Sequence, residues 1–270
     1  MTDEMVWINQ ARNSNDEGFT NLVETYQKPV YNLCYRMLGE AEAAEDAAQE
    51  TFLKAYQNLA RYDVERSFAT WLLSIAAHHC IDKLRRKKFS SFSIDEDEEG
   101  QTEIPDGFAP DPETEAVRKQ TRERLQDCLQ SLDPTDRAAV VMRYWQDCPE
   151  VEIAQALKLT VPAVKSRLHR ARSALRQELR PVLESPSRLP APDCPDVVLM
   201  LSRKLEGELT QLDCASMEQH LEGCPRCTAA CDAVRSALAA CRRSAVEHVS
   251  PAVQARVQAA IQACLVQRSG

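Results

Sequence analysis

The chain has 270 residues, only 7 of them glycine, and a formal net charge of −8 at pH 7. That length suits two or three small domains, and no run of 18 apolar residues is present, so we expect no membrane span. The N-terminal segment MTDEMVWINQARNSNDEG lacks a basic start and an apolar core. These features argue against a secretory signal and predict a cytoplasmic protein.

Cysteine and charge are unevenly distributed along the chain. Seven of the eleven cysteines follow Asp193, and such a cluster in a cytoplasmic protein indicates metal or redox chemistry rather than a disulfide framework. Residues 94–115 contain ten acidic residues and no basic one, whereas the stretch from Val164 to Arg180 carries six basic residues and one acidic residue. The acidic average therefore does not exclude nucleic acid as a partner.

Two breaks divide the chain into three predicted units. The acidic, proline-containing stretch is typical of a flexible linker, placed at 91–113, and the segment ESPSRLPAPDCP contains a second linker at 183–192. The units are then residues 1–90, residues 114–182 and a tail of residues 193–270. No segment shows convincing period-two alternation, so we expect an all-α fold.

The first unit should contain three amphipathic helices. In the first, Pro29 is expected to break or kink the helix and Gly39 to end it. The apolar positions recur at helical spacing in three stretches: Phe19, Leu22, Tyr26, Val30, Leu33, Met37 and Leu38; then Ala44, Ala48, Phe52, Ala55 and Leu59; then Phe68, Leu72, Ile75, Ile81 and Leu84.

An acidic helix, a polar loop and a helix that begins with aromatic residues and ends in cations follow one another from Glu45 to Arg86. This segment, EDAAQETFLKAYQNLARYDVERSFATWLLSIAAHHCIDKLRR, resembles region 2 of the bacterial sigma-70 family in its extracytoplasmic-function branch. The resemblance implies that core RNA polymerase is a partner, contacted through Asp46, Gln49, Glu50 and Phe52. On periodicity alone, the carboxylates would be a solvated face near a helix N-terminus, which the helix dipole favours.

The loop from Asn58 to Ser67 and the helix after it are the predicted −10 promoter surface. By the resemblance, the loop captures a base flipped out of the −10 element, which requires stacking and hydrogen-bonding groups. The residues that the resemblance assigns to this surface are Arg61, Tyr62, Trp71, His78, Lys83, Arg85 and Arg86. An ordinary polar loop remains the alternative, and Trp71 could equally belong to the core.

The second unit carries a predicted helix-turn-helix in the stretch EVEIAQALKLTVPAVKSRLHRARSALRQEL. Residues from Lys158 to Thr160 make the turn, Thr160 suits an N-cap, and Pro162 suits the first turn of the second helix. The helix after them has an apolar side made of Val161, Val164, Leu168, Ala171 and Leu175. Its opposite side is basic and polar, which suits the DNA major groove, although a solvated basic face is the alternative.

The pattern VKSRLHRAR is similar to sigma region 4, which reads the −35 promoter element. By that resemblance, the residues that contact promoter DNA are Lys165, Ser166, Arg167, His169 and Arg170. Repressors and response regulators also end in such helices, so a DNA-binding regulator that never joins polymerase is the rival function. The segment from Glu45 to Arg86 favours the sigma factor over this rival.

The tail contains the spacing H-x3-C-x2-C in His220, Cys224 and Cys227. The i to i+4 spacing places His220 and Cys224 on one helix face, and Cys194, on the preceding helix, is the natural fourth ligand. Two such pairs of ligands make a tetrahedral zinc site. The tail resembles the zinc-binding anti-sigma fold, here fused in cis. A small helical domain with buried, inert cysteines is the alternative. Cys214, Cys231, Cys241 and Cys264 remain unassigned.

The sequence as a whole predicts a transcription initiation factor, with zinc as a cofactor of the C-terminal domain only. The tail is expected to regulate it by holding the sigma units inactive, or to recruit an anti-sigma or sensor partner in trans. We expect no enzymatic activity, since no glycine-rich phosphate loop or catalytic dyad is visible. A hydrolytic zinc enzyme is disfavoured because a Cys3His site leaves no open position for water.

Overall fold

The computed structural model describes residues 3–13, 16–91, 123–183 and 194–243, together with residues 255–257, 259 and 263. Across these ranges the chain is helical and contains no strand, which confirms the predicted all-α class. Both the acidic stretch 94–115 and residues 184–193 lie outside the described residues. No described helix is long and apolar enough to cross a membrane.

Four helices and one short turn form the first unit. Their bounds are α1 Asp3–Arg12, α2 Asp16–Leu38, α3 Ala41–Asn58, a 3₁₀ turn at Leu59–Arg61, and α4 Phe68–Ser91. Helix α2 runs through Pro29, so the expected break is wrong. The residues around Pro29 pack into one core, including fully buried Val30, and this packing outweighs the lost backbone hydrogen bond. Gly39, with φ +85°, follows the end of α2 as predicted.

The second unit contains a helix α5 over 123–131, then α6 Pro134–Tyr144, α7 Glu150–Leu157 and α8 Val161–Leu183. Asp133 caps α6 by accepting a hydrogen bond from the amide of Thr135 at 2.9 Å. Between α7 and α8, Lys158 adopts a left-handed conformation with φ 55°. The Thr160 hydroxyl then accepts from the amide of Ala163 at 3.3 Å. The predicted helix-turn-helix and its N-cap are confirmed.

The first two units pack directly against each other and share one apolar core. Buried Arg137 of α6 crosses this interface and donates to the carbonyl of Met37, at the end of α2. Burial lowers its pKa to about 10. On the same interface, Thr70 donates to Glu152, and Gln146 Nε2 donates to the carbonyl of Pro29 at 3.1 Å. These contacts hold the predicted −10 and −35 units in one compact arrangement.

The tail adds α9 Val197–Leu205, α10 Gln211–Gly223 and α11 Pro225–Arg243. It has a small apolar cluster of its own, formed by Val197, Val198, Leu201, Cys227, Ala230, Cys231 and Val234. Helices α9 and α11 both pack against α8, the predicted DNA-reading helix. Of the predicted metal ligands, Cys227 is therefore carried by a helix in direct contact with the second unit, whereas His220 lies on α10, which packs on α9 and α11.

Candidate functional site

The predicted polymerase-binding residues of α3 differ in exposure. Asp46 is exposed, and Gln49 and Glu50 are half-buried, with Glu50 paired to Lys54 at 3.4 Å. The ring of Phe52, in contrast, is only 1% exposed and lies in the shared core. In this arrangement, the acidic side chains of the set can reach a partner, whereas Phe52 supports the helix from beneath.

Part of this acidic face is covered by the C-terminal segment of the same chain. The guanidinium of Arg256 pairs with Glu45 and lies 3.9 Å from Asp46. The next residue, Val257, is 1% exposed and joins the shared core. In the sequence this segment is only a weakly amphipathic helix without a defined contact. The basic residue beside a buried valine is the signal that could have indicated its docking position.

The predicted −10 loop presents Arg61 to solvent and buries Tyr62. Arg61 ends the 3₁₀ turn and is exposed. Tyr62 is 4% exposed, and its ring packs against Phe68 and Trp71 at centroid distances of 5.3 and 4.9 Å. Burial raises the pKa of Tyr62 to about 12. A base could stack on Tyr62 only after this ring left its cluster, so Arg61 is the accessible member of the pair.

Helix α4 carries the other predicted −10 residues away from the loop. Half-buried Trp71 packs against the core, and the half-buried ring of His78 places Nδ1 2.8 Å from the carbonyl of Ser74. Lys83, Arg85 and Arg86 are exposed near the end of the helix. This end of α4 is therefore a basic surface that the described part of the tail leaves uncovered.

Helix α8 buries the predicted apolar side and turns its cations outward. Val164, Leu168, Ala171 and Leu175 are at most 1% exposed. On the other side, Arg167 pairs with Asp136 of α6, and Arg170 reaches the second oxygen of the same carboxylate at 3.1 Å.

The remaining predicted −35 residues lie along the same side of α8. Lys165 pairs with Glu208 of the tail at 2.7 Å, and this hydrogen bond raises its pKa. Exposed Ser166 accepts from Arg170 Nη1 at 3.1 Å, and His169 is half-buried. All five residues therefore follow one surface, with a tail carboxylate at its N-terminal end.

A buried polar network joins the tail to α8, and the sequence did not indicate it. Arg172 is 2% exposed and donates to Ser202 and Glu206 of the tail. It also donates to the hydroxyl of Tyr144 at 2.6 Å. In the sequence, Arg172 is one of the six basic residues between Val164 and Arg180. Its position four residues after Leu168 continues the apolar side and was the available signal.

The four predicted metal ligands come together at one point. Ligand atoms of Cys194, His220, Cys224 and Cys227 all lie within 4.8 Å of one another. The sulfurs of Cys194 and Cys224 are 3.8 Å apart, and His220 Nε2 lies 3.3 Å from the Cys227 sulfur. Two sulfurs bound tetrahedrally to zinc at about 2.3 Å would be about 3.8 Å apart. The donor set and its spacing fit a closed, four-coordinate metal site.

The environment of the cluster favours a thiolate at one cysteine. Amides of Cys227 and Arg226, at the start of α11, donate to the sulfur of Cys224, and together with thiol contacts they lower its pKa. Burial and the neighbouring thiols raise the pKa of Cys227 to about 12 when no metal is bound. A bound cation would supply the charge needed to deprotonate this buried thiol.

The route by which the ligands meet differs from the expected one. The spacing predicts His220 and Cys224 on one helix face, but α10 ends at Gly223, and Cys224 has extended backbone angles of φ −126° and ψ 94°. Pro225 explains the break because the residue before a proline is disfavoured in the α-helical region. Cys194 precedes α9 instead of lying on it. The cluster therefore uses two helix ends and a turn.

Family models match all three parts of the chain. Sigma-70 region 2 matches residues 22–90, and Sigma-70, region 4 matches residues 122–175. A zinc-finger family matches residues 194–228. The ECF RNA polymerase sigma factor SigW of Bacillus subtilis is 36% identical over 180 residues, which are 64% of this chain and 95% of SigW.

The chain belongs to the ECF branch of the sigma-70 family of RNA polymerase sigma factors. The RNA polymerase sigma-H factor of Pseudomonas aeruginosa is 29% identical to this sigma factor over 182 residues, covering 65% of this chain and 93% of that protein. A solved complex of CnrH with the cytosolic domain of CnrY gives a TM-score of 0.48 at 23% identity, over 67% of this chain and 99% of that chain.

Proposed function

We propose that the two sigma units direct core RNA polymerase to promoters through three separate surfaces. Helix α3 contacts polymerase with Asp46, Gln49 and Glu50, which form an acidic, accessible face. Phe52 stays in the core and fixes the position of this face. The loop after α3 contributes Arg61 to the −10 contact. The basic end of α4 adds Lys83, Arg85 and Arg86, whose exposure suits contacts with backbone phosphates.

The −35 contact is assigned to α8. Its buried apolar side fixes the helix on α6 and α7, while Lys165, Ser166, Arg167 and Arg170 lie along one outward surface. Such a helix fits the major groove, where an arginine that binds guanine with two hydrogen bonds contributes roughly 1–3 kcal/mol of discrimination. His169 lies beside this surface and extends it.

The tail is proposed to bind zinc through Cys194, His220, Cys224 and Cys227. Three thiolates and one imidazole are a ligand set that zinc prefers, and the distances within the cluster match tetrahedral coordination. All four positions are supplied by protein, so the metal would stabilise the small apolar cluster of the tail instead of performing chemistry. Bound zinc would thus determine whether α9, α10 and α11 keep their packing.

We infer that this zinc-stabilised tail inhibits the sigma units in cis. One observation carries the inference: Arg172 of α8 is buried and donates to Ser202 and Glu206 of the tail. Beside it, Glu208 forms an ion pair with Lys165, the side chain to which a DNA phosphate or base would bind. At residues 255–257, Arg256 pairs with Glu45 beside the acidic face of α3 and lies 3.9 Å from exposed Asp46. One tail therefore competes with two different partners.

Run-off transcription with core polymerase tests the function and its regulation together. Full-length protein is compared with a 1–185 truncation, each with and without a zinc chelator, on a pool of candidate promoters. We expect an active truncation and a full-length protein that is silent until the metal is removed. Equal activity of both proteins would reject inhibition in cis and favour a tail that recruits a partner in trans.

Binding assays separate the sigma function from its rival. A sigma factor should bind core polymerase and recognise promoters only with it, because polymerase holds the two units at the required spacing. A DNA-binding regulator would instead bind its site alone and ignore polymerase. Failure of both the full-length and truncated proteins to bind core polymerase would reject the proposed function.

A further inference from the structure

Helix α1 lies before residue 22, where the match to Sigma-70 region 2 begins. Its last residue, Arg12, reaches the turn that follows α3. We infer that Arg12 is a positioning residue that sets the shape of the −10 loop around Arg61. This inference rests on the proposed function, because it assigns the loop to promoter contact.

The Arg12 side chain binds the loop backbone on both sides of Arg61. Its Nε donates to the carbonyl of Leu59 at 3.2 Å, and its Nη2 donates to the carbonyl of Tyr62. The guanidinium carbon also lies 5.8 Å from the centre of the Tyr62 ring. One side chain therefore connects the residue two positions before Arg61 with the residue immediately after it.

Arginine suits this position for two physical reasons. The Leu59 carbonyl, which also accepts from the amide of Tyr62 at 3.2 Å, lies just after the end of α3, where a cation is favoured by the helix dipole. The planar guanidinium donates in two directions at once, while a lysine ammonium acts as a compact point charge. Replacing Arg12 by Lys would keep the charge but lose the simultaneous hydrogen bonds to the carbonyls of Leu59 and Tyr62.

Helix α1 is itself held firmly enough to act as a support. Ile8 and Ala11 are buried against the first unit, and the hydroxyl of Tyr26 donates to Glu4. At Gly18 of α2, an added Cβ would lie 2.5 Å from the carbonyl oxygen of Trp7, so the two helices approach as closely as only glycine permits. Because α1 is packed in place, the hydrogen bonds of its residue Arg12 fix the position of the exposed loop.

The consequence concerns Arg61. Tyr62 is buried beneath the loop and Arg12 holds the carbonyls on either side, so the exposed side chain of Arg61 leaves the surface in a restricted direction. A pocket for a flipped base needs such restriction, because its hydrogen bonds form only in a narrow geometry. Loss of Arg12 should therefore weaken base preference at −10 and leave polymerase binding intact.

The test uses the full-length chain with Arg12→Lys, and Arg203→Lys, at an exposed position of α9, as the matched control. Run-off transcription from the preferred promoter and from single-base variants of its −10 element is measured with and without chelator, alongside affinity for core polymerase. We expect Arg12→Lys to reduce the −10 base preference roughly tenfold, comparable to losing one positioned arginine contact, with unchanged polymerase affinity. Unchanged base preference would overturn the inference.

A double-variant cycle distinguishes positioning from general support. If Arg12 acts through Arg61, then Arg12→Lys should have no further effect on base preference in an Arg61→Ala background. Additive effects, or a matching loss of polymerase affinity, would show that Arg12 merely stabilises the first unit. Either outcome would remove its assigned role.

Hydrogen exchange of the free chain provides a readout that does not depend on transcription. Arg12→Lys should increase hydrogen exchange at residues 60–66 and leave exchange in α2 and α4 unchanged. Unchanged exchange at 60–66 would show that the hydrogen bonds of Arg12 to Leu59 and Tyr62 do not order the loop. If wild-type protein neither binds core polymerase nor starts any transcript, the proposed function fails and the role at −10 fails with it. Altered exchange would then still identify Arg12 as the residue that orders the loop.

Discussion

The two predicted DNA surfaces of this sigma factor have the same chemistry and opposite environments. On α4, Lys83, Arg85 and Arg86 are exposed, and none of them pairs with a carboxylate within the described part of the chain. On α8, Lys165 is paired with Glu208 and Arg170 with Asp136. A basic sequence pattern therefore indicates which helix can bind DNA, but the fold decides whether the cations of that helix are already paired with carboxylates.

The difference also shows where regulation would act. The tail contacts α8 and the acidic face of α3, which are the surfaces assigned to −35 recognition and polymerase binding. The described tail residues make no contact of this kind at the −10 loop or the basic end of α4. Inhibition would thus act on docking to polymerase and on −35 recognition, before any base is flipped.

The largest expected effect on the contacts of the tail comes from a change in the proposed metal site. Cys227→Ser removes a buried ligand, and structural zinc in small domains contributes about 10–16 kcal/mol of apparent binding free energy. We expect metal content to fall from one ion per chain to none, with rapid hydrogen exchange across α9, α10 and α11. Cys214→Ser, outside the cluster, is the control and should retain the metal. Full metal content in Cys227→Ser would reject this ligand set.

Breaking the buried ion pair should have the next largest effect. The side chains of Arg172 and Glu206 are 1% and 5% exposed, and removing one partner of a buried pair costs about 3–5 kcal/mol. Glu206→Gln should therefore release the tail from α8, detected as faster exchange in α9 and higher transcription with the metal still bound. The control, Glu218→Gln, breaks an exposed pair with Lys204 and should change neither. Unchanged exchange in α9 of Glu206→Gln would show that the Arg172–Glu206 pair does not hold the tail on α8.

Charge reversal at Arg256 should produce a moderate and selective effect. This residue pairs with Glu45 and lies 3.9 Å from Asp46, but its own side chain is 47% exposed, which limits the strength of these pairs. Arg256→Glu should raise affinity for core polymerase about threefold to fivefold and leave metal content unchanged. Arg203→Glu makes the same charge change on an exposed part of α9 and serves as the control. Equal affinity of the two variants for core polymerase would show that Arg256 does not affect polymerase binding.

The smallest effect is expected at Lys165. Glu208→Gln removes the tail carboxylate from an accessible pair, so only a slight increase in −35 binding should follow. Because the pair is electrostatic, the increase should shrink as salt concentration rises. Titration of a −35 duplex with the polymerase complex at two salt concentrations measures it. A large effect would mean that the pair of Glu208 with Lys165, instead of the buried contacts of Arg172, contributes most to holding the tail on α8.

Much of the fold could be predicted because helical periodicity and capping act locally. The buried side of α8, the turn after Lys158 and the cap at Thr160 all followed from residues within a few positions of each other. Pro29 was the local exception, since tertiary packing keeps α2 continuous through it. The spacing of the metal ligands was also visible, although Pro225 changes how the chain brings them together.

The contacts between units could not be read from the sequence. Arg172 and Glu206 are 34 residues apart, and Arg256 and Glu45 are 211 residues apart. The local pattern can place a cation such as Arg172 beside the apolar side of its helix, but it cannot identify the distant carboxylate that pairs with it. Arg12 was missed for the same reason, since its partners are the backbone carbonyls of Leu59 and Tyr62.

The equilibrium affinity for core polymerase tests the central claim most directly. The metal-loaded full-length chain is compared with the same chain after metal removal and with the 1–185 truncation. If the tail covers the acidic face of α3, the truncation and the metal-free chain should both bind at least roughly tenfold more tightly than the metal-loaded chain, the combined effect of several released contacts. Equal affinities in all three states would contradict inhibition by the tail.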